Sequence, residues 1–460
     1  MNFDFISNPN LLSFYLETGF YYFFRFFWGY GIWILLALLI LRILWKHWVD
    51  KNKKKFLSQQ KYVLLGVSMP KDNKQGPEAI EKFFVHLAGI KEEATWYEKN
   101  IQGKTQLNIS LEVASIEGQI QFFIYTPVQF RDLVKSAIYT SYPDLEIFEQ
   151  DEDYSEDALE DFLEDQCNVW GADLTLSEQN PIPIKTYSES GHKFSKELED
   201  PLTDLFEILG SLRESEQVWI QFIVSPIKSE LKADGQRLIK NILLGENLNK
   251  KAKDNIVDKT AFSLIKFTQN VLEFLKEVLN LHPTTDSFDE SKEKHVSLPG
   301  DKRLIDAIQN KISKIAFKSC IRIIYLADKE VFVKDRGITG ILGAFNAFRS
   351  IDMNSFKVSL TTGIIKKNLQ SNKILDLRKQ EILKAYKKRA FSWKVKSGFP
   401  KVISRVKKFL TIPEPKSEKT ILNTEELATI YHFPVNIVKA SLVKKTSSKR
   451  GEPPLGLPVK

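Results

Sequence analysis

An α+β fold is predicted by three patterns in the 460 residues. Short runs rich in Val, Ile, Phe and Tyr read as strands. Stretches with apolar residues at i, i+3 and i+4 read as helices, and the two kinds of run follow the same order twice. Lys61–Met69 (KYVLLGVSM) is the first strand, closed by Pro70 and the polar turn KDNKQG. Pro77–Ile90 opens with a proline suited to a first helical turn and sets Ile80, Phe83, Phe84 and Leu87 on one face. Leu107–Ser115 alternates, Glu117-Gly118 signals a tight hairpin, and Gln119–Thr126 is the return strand. Phe130–Ala137 is amphipathic and stopped by Pro143, and Leu145–Phe148 is a short final strand. The order β-α-β-β-α-β is that of a ferredoxin-like unit, assigned to residues 61–150.

The order recurs over residues 171–360. Ala172–Leu176 or Ile182–Tyr187 supplies a strand, and Pro201–Leu212 a helix with Leu202, Leu205, Phe206 and Leu209 inward. Val218–Val224 and Phe317–Leu326 are strands, Gly337–Phe348 a helix and Phe356–Leu360 the closing strand. A Lys-rich insertion of helical period, about 228–313, separates the two middle strands; Thr260–Lys276 is its clearest helix. The expectation is two tandem ferredoxin-like units, the second carrying that insertion. Between them, residues 151–170 form an acidic linker. Ten carboxylates fall within Glu149–Asp165 without the glycine-turned spacing of a calcium loop, so a solvated linker helix is expected there.

Ahead of this body stands an apolar stretch, assigned to a transmembrane helix over residues 21–48. From Trp28 it reads WGYGIWILLALLILRILW, with Arg42 its one charge. Twenty helical residues span about 30 Å, the hydrocarbon thickness of a bilayer. Trp28, Trp33, Leu36, Leu39, Arg42 and Trp45 are the candidate membrane-anchor residues, with aromatic rings at both ends. Lys46, Lys51, Lys53, Lys54 and Lys55 crowd the exit side, the last four within a basic juxtamembrane segment, 49–60. Positive-inside bias therefore places residues 1–20 outside and the bulk of the chain in the cytoplasm, as a single-pass protein of the inner membrane with the lipid bilayer as a partner. A cleaved signal peptide would want a basic leader and a small-residue cleavage site, and neither is present.

Composition narrows the chemistry. The net charge of +8 is compatible with an anionic surface or nucleic acid and proves neither. Only Cys167 and Cys320 occur, which excludes a disulfide framework or a cysteine metal site. No GxxxxGK[ST] loop, HExxH or GxSxG motif is present. Gly337, Gly340 and Gly343 suit close helix packing, and no carboxylate pair stands out as acid and base. The expectation is a protein that is not an enzyme and takes no cofactor.

Residues 361–410 form a basic helical segment. Lys384, Lys387, Lys388, Arg389 and Trp393 are its candidate contacts to nucleic acid or lipid: they could track phosphates, lie against anionic lipid, or belong to a solvated helix face. On the strand Phe122–Tyr125, Phe123 and Tyr125 share one face and Phe122 points to the other, so helix-covered core is favoured over base stacking. Asn423 and Glu426 carry capping-box spacing at the head of a short helix that ends before Pro434.

The run Ile421–Pro434 (ILNTEELATIYHFP), followed by Lys449–Pro458 (KRGEPPLGLP), resembles a segment of membrane-anchored conjugation and type IV secretion ATPases of the coupling-protein or HerA-like kind. There it lies just upstream of the motor. Tyr62–Asp144, especially Phe122–Pro127 and Tyr142-Pro143-Asp144, is similar to their region between membrane helix and motor. The relatives continue into a P-loop ATPase, whereas no position here matches a nucleotide-binding residue. The resemblance therefore implies a non-catalytic role, with the motor either a separate polypeptide or lacking and the chain a stand-alone membrane module. The expectation is a subunit that docks a separate P-loop ATPase, with residues 411–460 as the docking strap. Glu425, Glu426, His432, Phe433, Pro434, Pro453 and Pro454 are the candidate docking residues. The alternative is a membrane-anchored nucleic-acid-binding protein using the basic segment; either is compatible with a homo-oligomer.

Overall fold

The computed structural model describes residues 29, 32–70, 73, 75–188, 200–227, 230–244, 299–333, 335–362, 372–393 and 420–434. The chain divides into two compact units, residues 1–62 with 92–107, and residues 63–91 with 108–460.

The first unit is built on helix α1 (Ile32–Gln59). A single turn of π-helix, Glu98–Gln102, packs beside it. Asn52 donates to the carbonyl of Ile101 at 2.8 Å, and the Trp45 and Trp96 rings stack at 6.5 Å between centroids. Gly103 ends that turn at φ 75°, where a Cβ would meet the Asn52 backbone at 2.4 Å, so only glycine fits.

The structure overturns the expected membrane span. Among the described residues no helix is long and apolar enough to cross a membrane. The uncharged part of α1 runs from Ile32 to Leu41, about 15 Å at about 1.5 Å per residue, half of a bilayer core. Arg42, Lys46, His47, Asp50 and Lys51 then continue on the same helix. The single-pass, inner-membrane placement falls with the span. Trp28 and the leader, residues 1–20, lie outside the described residues.

The second unit is a single sheet with helices on both faces. Its elements are β1 (Tyr62–Ser68), α2 (Pro77–Leu87), β2 (Ile109–Ile116), β3 (Gln119–Pro127), α3 (Arg131–Ser141), β4 (Glu146–Gln150), α4 (Ala158–Leu163) and β5 (Cys167–Leu176). They continue with α5 (Thr203–Gly210), β6 (Glu216–Pro226), α6 (Glu230–Leu243), α7 (Pro299–Ser313), β7 (Ala316–Asp328), α8 (Gly340–Ala344) and β8 (Phe356–Thr361). Last come α9 (Asn372–Lys387), β9 (Thr420–Asn423) and α10 (Thr424–Ile430).

The nine strands form one sheet in the order β4-β1-β3-β2-β6-β7-β5-β8, with β9 added on β7. The expected fold class of two tandem ferredoxin-like units behind a transmembrane helix is thereby corrected. What would be the free edges of two separate sheets, β2 and β6, instead pair antiparallel from Ile109↔Val224 to Ile116↔Gln217. Their backbone donors and acceptors are used up in one another, and a strand from the C-terminal segment joins the same sheet. Of the expected insertion, α6 and α7 are described and pack on each other through Leu238, Ile242 and Ile308; Thr260–Lys276 lies outside the described residues.

Alternation along the strands sorts two cores. Leu65, Val67, Leu111, Val113, Phe122, Ile220, Phe222, Ile321 and Ile323 face α2, α3, α5 and α10. Leu64, Ala114, Phe123, Trp219, Ile324 and Leu326 face the other way, beneath Tyr154 and the α9 residues Leu383 and Tyr386. Phe122 and Phe123 therefore each enter a core, at 3% exposure apiece.

Candidate functional site

The second face carries a row of polar side chains where the strand pattern calls for apolar ones. Glu112 of β2 stands opposite Gln221 of β6, Gln221 opposite Arg322 of β7, and Arg322 opposite Asp173 of β5. All four are fully buried. Arg322 Nε donates to Asp173 at 2.8 Å and its second fork arm at 3.3 Å, a bidentate pair. Gln221 Nε2 donates to Glu112 at 2.9 Å and to the carbonyl of Tyr386 at 3.2 Å. Burial disfavours the charge on Arg322, yet Asp173 holds its pKa above the ordinary guanidinium value.

Arg389 closes the row from above. It sits just past the end of α9 in the left-handed region, at φ 47°. Its Nε and one arm donate to Glu112 at 3.0 and 3.1 Å, and its other arm bonds Asp153. Its guanidinium also lies 4.2 Å over the Tyr125 ring. Desolvation opposes the charge, but Glu112 and Asp153 raise the pKa above its ordinary value. Asp153 is desolvated too, and the bonds from Arg389 bring its carboxyl below the ordinary range. Tyr154 donates to Glu112 at 2.8 Å and shares a 2.6 Å bond with Tyr386; burial pushes both phenols well up. Every charge in the row is thus held by another member, which suits a lock between α9, residues 151–157 and the sheet.

A second constellation surrounds α10. Asn423 and Glu426 form the expected capping box. Glu426 also accepts from Ile184 N at 3.0 Å and pairs with Lys311 at 3.0 Å, both side chains without solvent exposure. Burial lowers the Lys311 pKa, against the pull of Glu426. Lys314 bridges Glu81 and Glu425 at 2.8 Å each, and Thr424 donates to Glu81 at 3.0 Å. His432 lies 2.8 Å from both Asp200 and the Ala428 carbonyl. Phe433 sits 5.1 Å from Phe122 and 5.0 Å from Tyr142, ring to ring, and the Pro434 carbonyl accepts from Asn73 at 3.0 Å.

The expected site residues are therefore sorted by burial. Glu425, Glu426, His432 and Phe433 are buried and Pro434 half-buried, so these five are not an exposed strap; Pro453 and Pro454 lie outside the described residues. Lys384 and Lys388 are exposed and Lys387 pairs with Glu156 at 3.4 Å, but Arg389 and Trp393 are buried and face no solvent partner. Trp33, Leu36, Leu39, Arg42 and Trp45 are exposed on α1. The row itself was missed. Its signal is a lone charge inside an apolar strand, as in Ile321-Arg322-Ile323 and Leu111-Glu112-Val113.

Among the described residues no group of three or more His, Cys, Asp or Glu side chains could hold a metal ion. No curated protein matches the chain. A family model described as a domain of unknown function, DUF8128, matches residues 46–444, which takes in the whole sheet, the polar row and α10. The chain belongs to the DUF8128 family.

Proposed function

We propose that this protein is a non-catalytic holder for a partner P-loop ATPase in a conjugation or type IV secretion-like system that moves DNA or protein. The likeness of Ile421–Pro434 to the segment ahead of the motor in coupling-protein and HerA-like ATPases motivates the reading. One structural observation supports it above others: every residue from Thr420 to Phe433 is buried, and β9 and α10 are tied into the sheet and to α2 and α7. The segment is fixed by the first core and by the ion pairs of Glu426 with Lys311 and of Glu425 with Lys314. A holder needs such a rigidly held segment, because a motor must be positioned against a rigid body.

The test is affinity purification of the tagged full-length protein from its own cells, followed by mass spectrometry and an ATPase assay. A P-loop ATPase should co-purify in near-equal amount, and the protein alone should not turn over ATP. Recovery of the chain with no P-loop ATPase, or ATP hydrolysis by the pure chain, overturns the reading.

A further inference from the structure

A cleft of about 580 Å³ opens where β6 runs into α6 and α7 runs into β7. Its floor is apolar. Leu231 and Ala316 are buried there, with Ile227 and Ile312 packed against them. The Ile227 N–H is already spent on the Ala316 carbonyl at 3.1 Å, so that backbone donor is not offered to a ligand. The rim is cationic: Lys91, Lys232 and Lys314 line it. Lys314 is neutralised by Glu81 and Glu425. Lys91 and Lys232 have no carboxylate within 4 Å among the described residues, and neither is in the polar row or the α10 constellation.

The volume falls within the roughly 300–1,000 Å³ of small-ligand sites, but such sites bury most of their ligand. This one does not enclose. Ile315 on its rim is 41% exposed, and Lys232, Gln309 and Ser313 are exposed beside it. An open apolar floor between two uncommitted lysines suits a polypeptide that inserts aliphatic side chains and leaves its backbone in water.

We propose that this cleft docks a segment of a partner protein that presents aliphatic side chains flanked by carboxylates. Lys91 and Lys232 meet the carboxylates, and Ile227, Leu231 and Ile312 take the aliphatic groups. Charge complementarity at the rim selects the partner and speeds encounter, while the floor holds it. The inference stands apart from the motor reading, since it holds for any partner carrying such a segment.

The probe is a fluorescein-labelled hexapeptide, Glu-Glu-Leu-Leu-Glu-Glu, titrated with the full chain and read by fluorescence anisotropy. Saturable binding that weakens with added salt is expected. Lys91→Glu with Lys232→Glu should weaken it at least about tenfold at an unchanged thermal midpoint, because two attractions become repulsions. Lys232→Glu alone, on an exposed side chain, should cost about threefold and keeps the test readable if the double variant fails to fold. Lys384→Glu with Lys388→Glu, exposed lysines on α9, should change nothing. No saturable binding, an unchanged affinity in the Lys91/Lys232 variant, or an equal loss in the α9 control overturns the proposal. Displacement of the peptide by equimolar dodecanoate also overturns it and reassigns the cleft to a small amphipathic carboxylate.

Discussion

Lys311 Nζ lies 3.0 Å from the Glu426 carboxylate, and neither side chain reaches solvent. The pair joins α7, the last helix of the expected insertion, to α10, the last described helix. Removing one partner of a buried pair strands the other charge, at a cost of about 3–5 kcal/mol. Glu426→Ala should cost more than Lys311→Met. It also deprives Ile184 N and Asn423 N of their acceptor, whereas Lys311→Met leaves those bonds to help hold the carboxylate. Urea denaturation followed by far-UV circular dichroism checks the order. A loss below about 1 kcal/mol in either variant would mean the pair is not desolvated as described.

Acid should loosen the lock at Arg389 through Asp153. The folded-state pKa of Asp153 is below the ordinary value of 3.8, so its contribution is whole above that value and is lost as pH falls through the folded one. Urea midpoints measured from about pH 5 to about pH 2 should fall, and Asp153→Asn should remove part of that slope. A variant with the wild-type acid limb would show that the carboxylate does not sense Arg389 in solution.

Much of this architecture was readable because it is local. Ile80, Phe83, Phe84 and Leu87 repeat at helical spacing and line the buried face of α2, and Asn423 with Glu426 forms the cap their spacing announces. The pairings were not readable. β9 meets β7 through Lys318↔Ile421, and nothing near Ile421 states that its edge partner lies so far back in the chain. For the same reason nothing local to Glu425 and His432, candidate docking residues, shows that they are tied down: their partners Lys314 and Asp200 come from distant segments. The two expected sheets became one because β2 and β6 each alternate correctly for an edge, and alternation does not say whether the edge is filled. Lone charges in strands, Glu112 and Arg322, carried the remaining signal, and it becomes specific only when their register is known.

The Glu117-Gly118 turn gives a backbone test. Both residues have positive φ, 52° and 79°, as a two-residue primed turn between β2 and β3 requires. A Cβ on Gly118 would also lie 2.9 Å from the Gly210 carbonyl oxygen. Gly118→Val should therefore destabilise by about 1–3 kcal/mol, adding a left-handed β-branched residue to a steric clash. Glu117→Gly should be far milder, and a thermal melt of both variants separates strain from a general loss of the turn.

The two thiols should report the integrity of each end of the second face. Cys167 begins β5 and Cys320 lies on β7, two residues before Arg322; both are buried. Burial pushes the Cys167 thiol up to about 11 and the Cys320 thiol up to about 12. Thiolate is the reacting form, so at about pH 8 a disulfide reagent such as dithionitrobenzoate should label neither in the native protein and both in denaturant. Arg389→Met strands Glu112 and releases α9 from the sheet, which opens the cover over this face. Cys320 should then label faster in that variant than in wild type, while α10, held separately by Lys311 and Lys314, keeps its protection from hydrogen exchange. Equal labelling rates in the two proteins would show that Arg389 does not hold the cover closed.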